Sequence, residues 1–265
     1  MHLQGDMHTH TIASTHAYST ITENCQWAAK YGMKGIAMTD HAMKMPDSPH
    51  IWHFVNLGIL PRKINGITIL RGIEANVVSD DGELDASEKL LSGLEWVVAS
   101  MHSACYTPST PENHTKSWLK VAQNPQVDVI GHCTTAPFMF DYEKGVKAFK
   151  EYGKLVEINE SSFACKRSPG RNVVELMKLC KKYEVPVVFD SDCHFCQLIG
   201  QTPKVAMIAE ELDFPEKLIM LLRFSASDFI AFPSFLQEKC GKFGAAPLQA
   251  DFPPVYFEAE GDGGK

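Results

Sequence analysis

The segment most informative about the fold is Val185-Pro186-Val187-Val188-Phe189-Asp190-Ser191-Asp192-Cys193-His194. Its first five residues form a short apolar run, which is typical of a strand buried on both faces of a parallel sheet. Its last three include a carboxylate and an imidazole, which are side chains that bind zinc, manganese or iron. An amphipathic stretch at 173–183 comes just before it and predicts a helix. A helix followed by a buried strand indicates an α/β chain with parallel strands.

The same alternation recurs along the whole chain. We predict strands at 35–38, 67–70, 96–100, 127–130, 155–158 and 185–189, and helices at 21–31, 111–122, 144–152, 173–183, 203–212 and 227–236. With the extended N-terminal segment this makes about seven strands, which favours an α/β barrel that is closed or nearly closed. We expect one domain over residues 1–245 and a loosely ordered tail over 246–265.

Composition limits the classes of partner. The chain has 265 residues, is 45% hydrophobic and carries a formal net charge of −7. An acidic chain argues against nucleic acid or an anionic membrane as the main partner, because both are bound through basic surfaces. No apolar run approaches the ~20 residues of a membrane helix, and the histidine-rich start lacks the apolar segment of a signal peptide. We therefore expect a cytoplasmic protein whose eight cysteines are reduced.

Metal-binding side chains recur where the predicted strands end, at the rim where parallel α/β barrels build active sites. His8 and His10 lie two apart in an extended segment, so they face the same way and could chelate one ion. One histidine alone is more often a hydrogen-bonded core residue than a ligand. Seven of eleven histidines and two carboxylates at this position are hard to attribute to chance. The residues are His8, His10, His16, His41, Glu74, His102, His132, Asp192 and His194.

Four motifs resemble the signature of the polymerase and histidinol phosphatase (PHP) superfamily. They are Asp6-Met7-His8-Thr9-His10, Thr39-Asp40-His41, Gly72-Ile73-Glu74-Ala75-Asn76 and Asp190-Ser191-Asp192-Cys193-His194. Further segments at 13–19, 49–54, 81–83 and 157–163 are similar to the bacterial YcdX-type phosphatases of that superfamily. The resemblance runs over about residues 5–240 and implies a distorted (β/α)7 TIM-like barrel.

The resemblance also implies a cofactor of three divalent metal ions, with zinc as the first choice and manganese or iron as alternatives. By position, His8, His10, Glu74 and Asp192 would hold the first ion. Glu74 would bridge to a second ion, which His102 and His132 would also hold. His16, His41 and His194 would hold the third. The resemblance also implies that the chain could form a homotrimer.

The predicted catalytic residues are Glu74, Asp192 and Arg167. Two metals bridged by Glu74 could share a hydroxide, because metal binding lowers the pKa of water from about 15.7 toward ~7. Arg167 follows the predicted strand 155–158, and its guanidinium fork suits a phosphate group. The resemblance implies a phosphate-contacting arginine near this place, and Arg171 is the alternative.

Several other residues receive a provisional role. Asp40 could orient an imidazole. The predicted pocket-lining residues are Asn76, Asn159 and His50, the predicted core residues are Trp52 and Phe54, and the predicted surface residues are His2 and His114.

Cysteines mark the departures from the family pattern. Cys133 stands where proline is expected, and Cys193 stands where a small residue is usual. Cys193 and Cys196 form a Cys-x-x-Cys motif, which could be a redox pair or supply an extra metal ligand. Packing beside the metals is the preferred interpretation, because no second such motif completes a zinc knuckle.

The leading hypothesis is a metal-dependent phosphatase that acts on small phosphomonoesters. A phosphodiesterase or exonuclease is the first alternative, which the acidic composition and the lack of a polymerase segment disfavour. A non-catalytic, metal-binding regulatory module is the second, and the complete set of nine predicted ligands argues against it. The sequence does not identify the substrate or decide among zinc, manganese and iron.

Overall fold

The computed structural model describes residues 3–220 and places eight strands in one sheet. The strands are β1 (Gly5–Thr9), β2 (Gly35–Met38), β3 (Lys63–Ile64), β4 (Ile67–Asn76), β5 (Trp96–Ser100), β6 (Val129–Ile130), β7 (Leu155–Asn159) and β8 (Val187–Asp190). Seven of them are parallel in the order β1-β2-β4-β5-β6-β7-β8, and β3 pairs antiparallel with β4. The predicted alternation of strands and helical crossovers is therefore confirmed.

Helices connect successive strands. They are α1 (Ile21–Lys30), α2 (Trp52–Val55), α3 (Glu88–Ser92), α4 (Pro111–Gln123), α5 (Tyr142–Glu151), α6 (Ser161–Ala164), α7 (Gly170–Tyr183) and α8 (Pro203–Glu211), with short 3-10 helices at Asn56–Ile59, Ala136–Phe138, Cys196–Leu198 and Glu216–Leu218. Within residues 3–220, none of these helices has the length and apolar character needed to span a membrane.

Three of the longer helices, α1, α4 and α5, begin where the sequence supplies a capping side chain. Thr20 and Glu23 form a reciprocal capping box at the start of α1. Thr110 caps α4 just before Pro111, which suits the first helical position. Asp141 accepts a hydrogen bond from Lys144 N, so α5 begins two residues earlier than the predicted 144–152.

β1 and β8, the first and last parallel strands, are joined mainly by side-chain hydrogen bonds and not by a continuous ladder of backbone hydrogen bonds. Thr9 and Cys193 form a single parallel bridge, and His10 N donates to Cys193 O at 3.0 Å. Deeper in the barrel, Met7 N donates to Asp190 Oδ1 at 2.7 Å, and Asp6 accepts from the backbone N of Ser191 at 3.2 Å. These bonds close the sheet into a nearly complete barrel, which confirms the predicted TIM-like α/β fold.

Apolar side chains fill the barrel interior below the polar residues. This inner cluster consists of Met7, Ala37, Leu70, Trp96, Val98, Val129, Leu155 and Val188. The indole Nε1 of Trp96 donates to Met7 O at 2.9 Å, so the ring spans the interior with its polar atom satisfied. Each of these residues precedes the polar residues of its own strand, so the barrel is a packed core with its polar site at the carboxyl end.

Several predicted boundaries shift for identifiable reasons. The predicted strand 67–70 continues to Asn76 because residues 72–76 pair with β5, so Glu74 lies inside β4 and not after it. The predicted strand 185–189 is Val187–Asp190, since Val185 N donates to Cys180 O at the end of α7. The missed elements β3, α2, α3 and α6 are too short to show a periodicity. The predicted helix 227–236, the predicted tail 246–265 and His2 lie outside the described residues.

Two burial predictions were wrong. Trp52 is 57% exposed on α2, whereas its neighbour Phe54 is buried as predicted. His114, predicted at the surface, is buried in α4. Its Nε2 accepts from Ser109 N and its Nδ1 donates to Met139 O, so both ring nitrogens are satisfied within the fold.

Gly72 is where β4 changes partner. Arg71 pairs with Met38 of β2, and Gly72 pairs with Trp96 of β5. A Cβ atom at Gly72 would lie 2.7 Å from Trp96 O and 2.8 Å from Met38 O, both of them backbone atoms. Only glycine fits where the two neighbouring backbones come this close, and Gly72 lies two residues before Glu74.

We expect Gly72→Ala to lower the free energy of unfolding by about 1–3 kcal/mol, because the added methyl group overpacks two neighbouring strands. Urea denaturation measures the change. The matched control is Gly170→Ala at the first residue of α7, where nothing lies within 4 Å of an added Cβ. That variant is expected to be neutral or slightly more stable. Equal unfolding midpoints for the two variants would contradict the account of Gly72.

Candidate metal centre

Glu74 is a buried carboxylate around which the polar residues gather. Its Oε1 lies 2.9 Å from Nε2 of His132 and 3.3 Å from Nε2 of His102. His102 and His132 follow the neighbouring strands β5 and β6. Both imidazoles therefore reach one oxygen of the carboxylate from the same side of the barrel.

The other oxygen of Glu74 faces a different group. Oε2 lies 2.7 Å from Nδ1 of His41, without hydrogen-bond geometry, and 3.4 Å and 3.6 Å from Nε2 of His8 and His10. His8 belongs to β1, His10 follows it directly, and His41 forms a parallel bridge with Glu74. Each carboxylate oxygen thus has its own set of imidazoles.

Asp192 joins the second group from the end of β8. Its Oδ1 lies 3.1 Å from Nε2 of His10 and 3.8 Å from Nε2 of His8. Its Oδ2 accepts from Arg167 Nη2 at 2.6 Å and from Asn159 Nδ2 at 3.1 Å. One oxygen of Asp192 therefore faces the imidazoles, and the other is held by donors.

His16 and His194 lie at the outer side of the cluster. Their Nε2 atoms are 2.9 Å apart, and the ring of His16 stacks on that of His41 with centroids 5.1 Å apart. His16 is the more solvent-exposed, with 47% of its side chain accessible, and its Nδ1 lies 2.5 Å from Oδ2 of Asp47. The structure thus brings all nine predicted ligands into one continuous cluster.

Two of the predicted ligands have left-handed backbone conformations. His132 has φ +23° and Asp192 has φ +52°. Residues other than glycine rarely adopt this region, and such strain persists where surrounding contacts enforce it. Both residues stand just after a strand, where the positive φ turns the side chain toward the cluster.

The cluster contains buried nitrogen and oxygen atoms that form no hydrogen bond. Among the described residues these atoms include His8 Nε2, His10 Nε2, His41 Nδ1, His102 Nε2 and Glu74 Oε2. Burying unpaired polar atoms is costly, and divalent cations bound within the cluster would satisfy these atoms. The donor set of imidazole and carboxylate suits zinc, manganese or iron, so the residues fit a divalent metal site.

Within residues 3–220, three combinations bring their ligand atoms within 4.8 Å of one another. They are His8 with His10 and Glu74, His41 with Glu74 and His102, and His10 with His41 and His194. These combinations overlap with the predicted groups but differ in two places: His41 stands where His132 was predicted beside Glu74 and His102, and His10 stands where His16 was predicted beside His41 and His194. The structure groups His41 with Glu74 and with His194, so His41 lies where the predicted positions meet.

Electrostatics favour the metal-binding protonation states at most positions. Burial would raise the pKa of Glu74, but His8, His102 and His41 hold it well below its usual value. Burial lowers the pKa of His10 to about 3 and that of His102 to about 4. An ionised carboxylate and neutral imidazoles, the forms that bind metals, therefore lie side by side.

His41 and His8 behave differently. Burial disfavours the charged form of His41, yet Glu74 raises its pKa above the usual value. For His8 the effect is larger. Burial disfavours its charged form, yet Glu157, Glu74 and Asp192 together raise its pKa well above the usual value. Three carboxylates thus converge on one imidazole. A cation at this place would provide the positive charge that the three carboxylates favour.

Residues with provisional roles divide into those that touch ligands and those that do not. Asn76 Oδ1 lies 2.7 Å from His102 Nδ1 and so orients that ring. Asp40 holds His53 and not the adjacent His41, with His53 Nε2 3.1 Å from Asp40 Oδ2. It also accepts from Ser14 Oγ, which in turn accepts from His41 N. Neither His50 nor Arg171 touches the cluster, and both are exposed.

Three residues that contact the cluster or its neighbours received no role from the sequence: Glu157, His53 and Asp47. Glu157 lies two residues before Asn159 on β7, so strand alternation could have placed the two on one face. His53 and Asp47 lie in the segment between β2 and β3, and no periodic pattern there signals their contacts.

The cysteines near the ligands are buried and free. Burial raises the pKa of Cys133 and of Cys193 well above the usual thiol value, which keeps both as neutral thiols. Cys196 is also buried. No disulfide occurs among the cysteines of residues 3–220. Packing beside the ligands accounts for these side chains, although metal contact by Cys133, Cys193 or Cys196 stays an open alternative.

Known proteins are similar to this chain in sequence and in fold. A protein of Clostridium novyi (strain NT) named probable phosphatase is 45% identical over 216 residues, which cover 81% of this chain and 88% of that protein. A probable phosphatase of Thermoanaerobacter sp. (strain X514) is 40% identical over 246 residues, or 92% and 98% of the two chains.

Among solved structures, the fold is similar to histidinol phosphate phosphatase from Lactococcus lactis subsp. lactis Il1403, determined with zinc, L-histidinol and phosphate. The TM-score is 0.53 at 15% identity, over 80% of this chain and 94% of that one. The PHP domain profile matches residues 6–161, more than half of the 265 residues. The resemblance seen in the motifs is thereby confirmed, and the chain belongs to the PHP family.

Proposed function

We propose that this chain is a metal-dependent phosphatase that hydrolyses small phosphomonoesters at a centre of three divalent ions. The observation that carries the proposal is Glu74, whose two oxygens face two different groups of buried imidazoles. A carboxylate in this position can bridge two ions. Two-metal sites stabilise both the attacking and the leaving oxygen of a phosphoryl transfer.

The enzyme class has separate support. The Clostridium novyi and Thermoanaerobacter relatives are both named as phosphatases and match most of this chain. The predicted class, a hydrolase of phosphoric esters, is confirmed at that level. Zinc is part of the Lactococcus lactis structure, and we take it as the first choice here, with manganese or iron as alternatives.

The proposed ligand assignment follows the predicted positions. His8, His10, Glu74 and Asp192 would hold one ion, Glu74, His102 and His132 the second, and His16, His41 and His194 the third. When bound, the ions would supply an activated water and positive charge for the phosphoryl oxygens. Asn76 fixes the orientation of His102, and Asp47 does the same for His16.

Arg167 is the proposed phosphate-binding residue. Its Nη2 is bonded to Asp192, while its Nε is buried without a hydrogen-bond partner. About a quarter of the side chain is exposed (28%), so the guanidinium lies at the boundary between the cluster and solvent. It can therefore donate to a phosphate group while it still holds Asp192.

Other predictions from the sequence remain to be tested. The cytoplasmic location, the homotrimer, the lack of a nucleic-acid partner and the domain bounds 1–245 stay predictions.

We expect the purified chain to contain about three divalent ions and to release phosphate from a panel of phosphomonoesters. Removal of metal with a chelator should abolish this activity, and zinc, manganese or iron should restore it, because the cluster's own side chains supply no activated water. Elemental analysis and a phosphate-release assay measure both quantities. Metal-replete protein that leaves all monoesters intact would overturn the proposal, and faster cleavage of a diester would favour a phosphodiesterase.

Glu74→Gln should lower kcat at least ~100-fold and reduce the metal content. Residues that only orient ligands already cost 10–100-fold when replaced, and Glu74 contacts both groups of imidazoles directly. The matched control is Glu95→Gln. Glu95 is another fully buried glutamate, lies just before β5, and accepts hydrogen bonds from Arg62 Nη1 and from the backbone N of Arg71. This variant should keep its metal and its activity per folded molecule. Full activity in Glu74→Gln would contradict the bridging role.

Arg167→Ala should raise KM for a phosphomonoester about 10–100-fold, since a hydrogen bond to a charged group contributes about 1.5–3 kcal/mol. Steady-state kinetics distinguish this from loss of kcat. Arg171→Ala is the control, because Arg171 is exposed on α7 and touches none of the ligands. If Arg171→Ala raises KM and Arg167→Ala does not, the alternative assignment is correct.

A further inference from the structure

Strand β7 differs from the other parallel strands in what it brings to the cluster. Within residues 3–220, each of the other six parallel strands provides, or is followed closely by, a predicted metal ligand, and β7 provides none. Its residues Glu157 and Asn159 lie two apart and so face the same side of the sheet. Both are buried, with 2% and 4% of their surface exposed.

Glu157 contacts two of the predicted ligands at once. Its Oε1 lies 2.7 Å from Nδ1 of His8, and its Oε2 accepts a 2.5 Å hydrogen bond from the backbone N of His132. His8 is in β1 and His132 follows β6, so one side chain joins strands from both sides of β7. Asn159 Nδ2 also donates to Glu157 Oε1, at 3.1 Å, and to Asp192 Oδ2.

The contact with His8 determines which of its nitrogens carries the proton. A carboxylate can only accept hydrogen bonds, so Nδ1 of His8 must donate to it. In the neutral ring the lone pair is then on Nε2, the atom that faces Glu74 and Asp192. Fixing the tautomer in this way is the usual task of a residue behind a metal-bound histidine.

The contact with His132 acts on the backbone. His132 has φ +23°, a conformation that side-chain-bearing residues adopt only when surrounding contacts hold them. The Oε2 of Glu157 accepts from the N–H of this strained residue, and the His132 ring then reaches Oε1 of Glu74 at 2.9 Å.

We propose that Glu157 is a positioning residue that sets the tautomer of His8 and holds the backbone of His132. It would thereby link the ligands on the two sides of Glu74. The inference rests on the proposed function only in taking His8 and His132 as metal ligands.

Replacement by glutamine tests the role, because an amide cannot accept at both ends. If its oxygen accepts from His132 N, its NH2 group faces Nδ1 of His8, which must then accept. The proton of His8 moves to Nε2, the atom required for the metal. If the amide turns round, its NH2 group faces the N–H of His132, and two buried donors oppose each other.

The experiment compares wild type with Glu157→Gln in protein labelled with 15N in the histidine rings. Long-range 1H–15N spectra of the zinc-loaded protein give the tautomer of His8, and competition with a chromophoric chelator gives the zinc affinity. We expect wild type to carry the His8 proton on Nδ1. The variant should lose this signal and bind zinc 10–100-fold more weakly.

Glu160→Gln is the matched control. Glu160 lies three residues further on and its carboxylate accepts from Lys204 N and Val205 N, so it also holds backbone donors, but it contacts no imidazole. Its replacement should leave the His8 signal and the zinc affinity as in wild type. Equal loss of zinc in both variants would mean that Glu157 only stabilises the fold.

Two results would overturn the proposal: a wild-type His8 proton on Nε2, or an unchanged zinc affinity in Glu157→Gln. If that variant does not fold, Glu157→Asp decides, since it keeps an acceptor that is shorter by one methylene group. It should retain the His8 tautomer with weaker zinc binding, and unchanged binding would refute the role. If wild type binds no metal, the proposed function fails, whereas the exchange rate of the His132 N–H, which donates to Glu157 Oε2, still tests Glu157 when metal-free wild type is compared with Glu157→Asp.

Discussion

A charged carboxylate deep inside the barrel, Glu74, is the constraint on which the rest of the site depends. An isolated buried charge is too costly to keep without compensation. Here five imidazoles from four other strand ends surround its two oxygens. Their proximity keeps the pKa of Glu74 well below its usual value, against the effect of burial. The barrel allows this because parallel strands end at one rim, where side chains distant in sequence converge.

Convergence of the strand ends does not by itself orient the side chains of the cluster. Residues around the cluster hold them in place. His132 and Asp192 have left-handed backbone conformations that need support. Asp192 is held by Arg167 and Asn159, and His132 by Glu157. β7 has no predicted ligand, and it contributes to the site through Glu157 and Asn159, which hold the predicted ligands of other strands. This division between binding and positioning residues is common in metal sites, where outer contacts orient the inner ones.

Family membership supports the enzyme class, whereas similarity to a solved structure supports the fold. Relatives at 40% and 45% identity cover 92% and 81% of this chain and support the enzyme class. The Lactococcus lactis structure, at 15% identity, supports the barrel fold alone. The predicted metal site in this chain is therefore argued from the chain's own side chains, namely the two-sided environment of Glu74 and the buried nitrogen atoms that form no hydrogen bond.

Local sequence patterns were enough to predict the barrel class, most strand positions and the set of candidate ligands. A short apolar run followed by His, Asp or Glu can be recognised without knowledge of the fold. Which side chains meet depends on the three-dimensional arrangement of distant segments. Glu157 and His8 are 149 positions apart, Asp40 bonds to His53 and not to its neighbour His41, and His114 is buried although it was predicted at the surface. No local pattern encodes such contacts, because they arise from how strands and loops close around one another and not from the order of residues within any one of them.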